Sequence, residues 1–265
     1  TSMLARPERT YLWGLSMGGA VVLQLAQQNP ELFDGVLSEC GSAMGLTGTV
    51  NHRFDTRVLF DYYFPGVIPG SAVQFPAGVD FPTQVQPLVI AAILANPAAA
   101  IELAAVDQVE LQYNTFAELV QTLVTSFTFS TAWWSTGDVY DAVNGMPFYD
   151  NTEVRYTGSA DDAALNLGVQ RYAAHPSARN EISRWYTPTG QLNMPVLNLH
   201  TRRDPVVPVR VLSQFAALVE SAGSSNLLLQ RTVDRFGHCA LTLPEEISAI
   251  NDLATWVRSG VRPAS

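Results

Sequence analysis

The chain has 265 residues, 47% hydrophobic and only 15% charged, enough apolar content for one or two packed domains and too little charge for long disordered tracts. All 15 basic residues are Arg, and the absence of Lys excludes Lys-dependent phosphate loops and Schiff-base enzymes. A net charge of −9 argues against a non-specific binder of nucleic acid or of anionic membranes.

Thr10 to Trp13 reads as a short strand that ends at Gly14, and Met17 to Gln28 as a helix stopped by Asn29-Pro30. Gly35 to Ser38 is a second strand, ending near Cys40-Gly41. The charge balance then changes abruptly. Between Arg57 and Arg155 there is no basic residue, against ten acidic ones, and 15 of the 26 aromatic residues fall in the same span. This shift marks an inserted module at about residues 42–190, leaving 1–41 and 191–265 as the parent domain. Within the module, the apolar stretch Leu88 to Val106 is interrupted by Asn96-Pro97 and carries Glu102. It is too broken for a membrane span and reads as a buried helical hairpin of 88–95 and 98–109.

After the module, Pro195 to Leu199 is a third strand and Val209 to Ser221 a helix, with Pro208 near its start and Gly223 past its end. Leu227 to Val233 is a fourth strand. The last helix begins at Thr242, where Thr242 and Glu245 have capping-box spacing and Pro244 sits in the first turn; it ends near Gly260. Short buried strands alternating with helices predict an α/β fold, a parallel sheet flanked by helices on both faces. Four strands make a thin sheet whose first strand lacks a visible outer partner. Either another chain completes it or the sequence starts within a domain.

Gly14-Leu15-Ser16-Met17-Gly18-Gly19 lies between a strand and a helix, the setting of a G-x-S-x-G nucleophile elbow. The serine must hold a strained turn with its hydroxyl exposed, and flanking glycines avoid collisions with neighbouring backbone. The helix that follows favours negative charge near the hydroxyl, and the Met17 backbone N–H is the expected oxyanion-hole donor. A serine needs a base, and the base an orienting acid. Asp204 follows the third strand and His238 the fourth, so Ser16, Asp204 and His238 converge on the carboxyl edge of one parallel sheet, where open α/β sheets bind ligands. His200 precedes the acid loop and reads as structural. His52 and His175 lie in the module, Asp234 is too close in sequence to His238 to hold its ring, and Glu39 is the alternative orienting acid. The four histidines and two cysteines have no metal-ligand spacing, so neither metal nor cofactor is expected.

These residues resemble the α/β-hydrolase fold family over Thr10–Gly41 and Met194 to the C-terminus, in the elbow, the Asp204-Pro-Val-Val-Pro208 loop and the Gly237-His-Cys239 loop. The Pro188-Thr-Gly, His200 to Pro208 and Gly237 to Thr242 segments are similar to secreted bacterial members of that family. The resemblance implies that strands preceding Thr10, with a second oxyanion donor, are missing, so that this chain is the C-terminal half of a catalytic domain carrying a mostly helical cap. It also implies a Ser-Asp-His enzyme cleaving carboxylic esters of small molecules, with a peptidase, an amidase or a non-catalytic binding module as alternatives. Secreted relatives imply an extracytoplasmic, oxidising location. Cys40 and Cys239 both fall at the catalytic edge, and there they are either a disulfide that pins the His238 loop or two buried thiols. The cap is expected over that edge, with Phe127, Phe129, Trp133 and Trp134 as lid candidates and its acidic residues disfavouring anionic substrates.

Overall fold

Four strands, β1 (Tyr11–Leu15), β2 (Gly35–Glu39), β3 (Val196–Arg203) and β4 (Leu228–Phe236), form a single sheet in the order β1-β2-β3-β4, with all three pairings parallel. They belong to a computed structural model of the chain that describes residues 7–131 and 143–264. Helix α1 (Met17–Gln28) joins β1 to β2. Between β2 and β3 lie α2 (Gly45–Tyr63), α3 (Gln86–Ala95, preceded by a π-helical turn at Phe81–Val85), α4 (Pro97–Ala105), α5 (Phe116–Phe129), α6 (Asp162–Gly168) and α7 (Pro176–Tyr186). Helix α8 (Arg210–Ser221) follows β3 and α9 (Leu243–Ser259) follows β4. The chain divides into two compact units, Thr1–Gly45 with Thr187–Ser265, and Leu46–Tyr186.

In the first unit the two-residue period of the strands sorts side chains onto two faces. Val36, Val196 and Leu228 are in register and pack with Val22, Leu23 and Ala26 of α1 and with Val211, Leu212 and Phe215 of α8. The next row, Leu37, Leu197 and Leu229, faces the other way onto Ala249, Leu253 and Trp256 of α9. The helices are amphipathic to match: α1 buries positions 19, 22, 23 and 26, and α9 buries 249, 253 and 256. Fully burying each of these Leu or Val side chains stabilises the unit by about 1.5–3 kcal/mol. Every residue of β2 is buried, as a central strand covered on both faces requires. β1 ends the sheet, and Trp13 and Leu15 on it, like Met17, Val21 and Leu25 along α1, are exposed.

The second unit has its own core, in which Phe60 stacks on Phe64 and meets Phe127 at a ring distance of 4.6 Å. Phe127 is therefore a core residue of this unit. Phe129 lies 4.6 Å from the Arg53 guanidinium, while Trp133 and Trp134 fall outside the described residues. The buried Asp55 carboxylate accepts the hydroxyls of Tyr149 (2.6 Å) and Tyr156 (2.7 Å). Arg57 is spent internally on Asp61, at 2.8 Å. The apolar stretch expected to be a buried hairpin is two helices, α3 and α4, bent by 96°. Asn96 causes the break. It caps α4 by accepting the Ala99 N–H, and Pro97 starts the new helix where a missing N–H costs nothing. Only one side is buried, and Leu88, Leu94 and Ile101 are exposed. No single helix among the described residues is long and apolar enough to cross a membrane.

Candidate active site

Ser16, Asp204 and His238 each follow the carboxyl end of a strand. Ser16 comes directly after β1, Asp204 directly after β3, and His238 two residues after β4. Because the strands are parallel, these positions share one edge of the sheet.

Ser16 is the N-cap of α1 with φ 54° and ψ −121°, a left-handed conformation that costs a non-glycine residue about 1–3 kcal/mol. The surroundings hold it there. Its N–H donates to the Glu39 carbonyl at 2.9 Å, and its own carbonyl accepts from Gly19 N–H at 3.0 Å. Its side chain makes no capping bond and is left for other partners. The glycines divide the steric work differently from the motif's usual reading. A Cβ on Gly14 would lie 2.3 Å from the Gly18 carbonyl oxygen, and one on Gly19 2.6 Å from the Gly41 Cα. A Cβ on Gly18 would meet nothing within 4 Å. The close approaches that need glycine are thus those of Gly14 to the first turn of α1 and of Gly19 to the end of β2.

His238 Nε2 lies 2.7 Å from Ser16 Oγ, and Nδ1 lies 2.8 Å from Asp204 Oδ2 and 3.1 Å from Oδ1. An ionised carboxylate can only accept, so Nδ1–H donates to Asp204 and Nε2 is left to accept the Ser16 hydroxyl proton. The Asp204 carboxylate has no solvent exposure. It is satisfied by backbone: the N–H groups of Val206 (2.8 Å) and Val207 (2.9 Å) donate to Oδ1. An Asp followed by Pro is a turn signal of this kind, readable in the sequence. A bulge in β3 between Thr201 and Arg203 lies immediately before Asp204. Sequence reasoning missed the clamp on the histidine loop. Thr201 Oγ1 donates to the Gly237 carbonyl (2.6 Å), and Gly237 N–H donates to the Arg203 carbonyl (3.1 Å).

The competing residues are otherwise engaged. Glu39, the alternative acid, accepts the Trp13 indole N–H at 2.8 Å. Burial pushes its carboxyl above the ordinary glutamate value, partly offset by that hydrogen bond. His200 is fully buried, with Nε2 2.9 Å from the Val207 carbonyl, so it braces the Asp204 loop. Burial holds its imidazole below its ordinary value, against the opposing pull of Asp204. Asp234 pairs with Arg203. His52 lies on α2 and His175 accepts the Ser177 N–H just before α7, both in the second unit.

Cys40 and Cys239, 199 positions apart in sequence, are joined by a disulfide with Cα atoms 5.4 Å apart. Cys40, His238 and Cys239 place potential ligand atoms within 4.8 Å of one another. Sulfurs locked in a disulfide lack the thiolate that binds a metal, so this donor set does not suit a cation. Met17 is the first residue of α1, where backbone N–H groups have no intrahelical acceptor.

A sequence profile of the α/β-hydrolase fold matches residues 5–242. No curated protein matches the chain significantly. Similar solved structures include tannin acyl hydrolase from Aspergillus niger, 14% identical over 98% of this chain and 58% of that one, with a TM-score of 0.48. Feruloyl esterase B from Aspergillus oryzae is 14% identical over 97% of this chain and 61% of that one, with a TM-score of 0.42. A serine hydrolase from Cycloclasticus zankles is 14% identical over 96% of this chain and 65% of that one, with a TM-score of 0.34. The chain thus spans less than two thirds of the length of each of these structures. The match across residues 5–242 and the parallel sheet flanked by helices make this chain a member of the α/β-hydrolase fold family.

Proposed function

We propose that the protein is a serine hydrolase that cleaves carboxylic esters through an acyl-enzyme. The observation that carries this reading is the hydrogen-bonded chain Ser16–His238–Asp204, with links of 2.7 and 2.8 Å between residues far apart in sequence. His238 Nε2 takes the Ser16 proton as Oγ attacks the ester carbonyl, and Asp204 holds the ring and stabilises the imidazolium. The tetrahedral oxyanion forms near the start of α1, where the Met17 N–H is the donor assigned to it. Collapse expels the alkoxide, which leaves with the proton carried on His238. Water, deprotonated by the same nitrogen, then releases the acid and restores Ser16.

The substrates that fit best are uncharged esters, because a net charge of −9 disfavours anions. An extracytoplasmic, oxidising location goes with this reading and is supported by the disulfide. A fluorophosphonate probe should label Ser16 of the wild-type chain, and Ser16→Ala should abolish labelling. Turnover of short p-nitrophenyl esters without turnover of aminoacyl anilides supports an esterase, and the reverse preference contradicts it. Labelling that survives Ser16→Ala refutes the assignment.

A further inference from the structure

The disulfide stands at a junction in the site. Cys239 directly follows His238, and its Sγ lies 3.7 Å from Nε2 and 4.0 Å from Nδ1, in contact with the ring that must shuttle the proton. Cys40 directly follows Glu39, whose carbonyl accepts the Ser16 N–H at 2.9 Å. The Cys40 N–H in turn donates to the Leu199 carbonyl of β3 at 2.8 Å. A short path therefore links nucleophile to base: Ser16 N–H to Glu39, Cys40, the S–S bond, Cys239 and His238. Without the bridge, the covalent route between the two cysteines follows the main chain over a sequence separation of 199.

The loop is also tied by backbone on either side of the histidine. Upstream, Gly237 is clamped to β3 by Thr201 and Arg203. Downstream, only Cys239 to Leu241 separate His238 from the Thr242 cap of α9, and Arg235 donates to the Ala240 carbonyl there. Both bridged residues have left-handed backbones, Cys40 at φ 42° and Cys239 at φ 48°. Such conformations persist in non-glycine residues when the surroundings over-determine them, and the two are bonded to each other.

We propose that the Cys40–Cys239 bridge is a positioning device for the base: it fixes the downstream side of His238 and packs against the ring so that Nε2 meets Ser16 Oγ, and opening it slows acylation. This rests on the reading of Ser16 and His238 as nucleophile and base. A dithiol such as dithiothreitol opens the bridge by passing two electrons and two protons to it. The S–S bond breaks to give Cys40 and Cys239 thiols, and the reductant closes to a cyclic disulfide. A misplacement of about 1 Å at a catalytic group can cost roughly 100-fold in rate, so a 10- to 100-fold fall in kcat is expected. KM should change little, because the bridge is assigned no contact with substrate.

The test uses the full chain in three forms: oxidised, reduced by dithiothreitol with two free thiols confirmed by titration, and the double variant Cys40→Ala/Cys239→Ala. Leu253→Ala, a buried residue of the α9 core, serves as a comparator that loses stability while keeping both cysteines. Assays run where circular dichroism shows every form fully folded. The expected result is that the reduced and double-variant forms label with fluorophosphonate 10- to 100-fold more slowly, with kcat falling and KM retained, while Leu253→Ala keeps the wild-type rate. Reoxidation should restore the rate of the reduced wild type. The far-downfield proton resonance of an imidazole N–H held by a carboxylate should weaken on reduction, which a merely stabilising bridge would not cause. Unchanged labelling and turnover after confirmed reduction overturn the inference while leaving the triad standing. Labelling that persists in Ser16→Ala overturns the underlying reading instead, so the two failures are distinguishable.

Discussion

Asp204 shows how much one residue does through hydrogen bonds. Its Oδ1 takes two backbone N–H groups and its Oδ2 takes His238. In Asp204→Asn the amide oxygen can keep the two backbone donors, which turns the NH2 toward Nδ1 and forces the proton onto Nε2, the wrong tautomer for accepting from Ser16. A fall in kcat of about 10,000-fold is expected in ester hydrolysis, with KM little changed. In contrast, Glu39→Gln should leave kcat within a few-fold, because Glu39 is occupied by Trp13. His200 belongs at the same scale but acts on stability. Its folded-state imidazole is held below the ordinary value of 6.5, so the unfolded chain binds a proton there that the folded chain refuses. The stabilisation is complete above about 6.5 and is lost as pH falls below it. Urea midpoints at pH 7.5 and pH 5.5 should drop more for wild type than for His200→Gln. Equal drops would show that His200 is not the group being protonated.

At the scale of elements, the strand–elbow–helix unit was legible because its parts obey local rules: a β-rich run, a glycine-rich turn, and a helix stopped by Asn29-Pro30. The observed β1 runs two residues further than expected, to Leu15, which brings the strand up to the nucleophile. The steric roles of the glycines were not legible, because they depend on which backbone passes nearby. Gly14→Ala should lower stability by about 1–3 kcal/mol through collision with the Gly18 carbonyl. Gly18→Ala, with open space around it, should be neutral or stabilising by up to ~1 kcal/mol, since alanine is the better helix former. Thermal denaturation of the two variants checks this, and equal destabilisation would contradict it. The α3–α4 pair marks another limit. Composition predicted a buried hairpin, yet an apolar run whose one charge is Glu102 hides which side of each helix faces the core, and the structure leaves Leu88, Leu94 and Ile101 exposed. The final helix kept its sequence signature, with the Glu245 carboxylate accepting the Thr242 N–H at 2.7 Å. The Arg235 guanidinium beside it holds that carboxyl down to about 2.

For the whole molecule, the parallel order of strands places in register what the sequence separates by up to 222 positions. Residue type, chain order and position after a strand pointed to Ser16, Asp204 and His238, and the structure brings their side chains within hydrogen-bonding distance. The supporting Thr201–Gly237 contact and the tie from Ser16 to Glu39 are pairings across strands, invisible until the sheet order is known. The overall charge carries a further expectation. With 24 acidic against 15 basic residues, long-range repulsion should reduce kcat/KM for an ester bearing a carboxylate relative to its neutral analogue. The gap should narrow as salt shortens the Debye length from about 30 Å at 0.01 M to about 10 Å at 0.1 M. A gap insensitive to salt would mean that local contacts, not the field of the protein, set the preference.

The most direct measurement is to quench the protein in acid during turnover of p-nitrophenyl acetate and map the peptides by mass spectrometry. One acetyl group is expected on the peptide containing Ser16, absent from Ser16→Ala, and accumulating when water attack is slowed. Turnover that leaves Ser16 unmodified, or an acetyl group on another side chain that persists in Ser16→Ala, would contradict it.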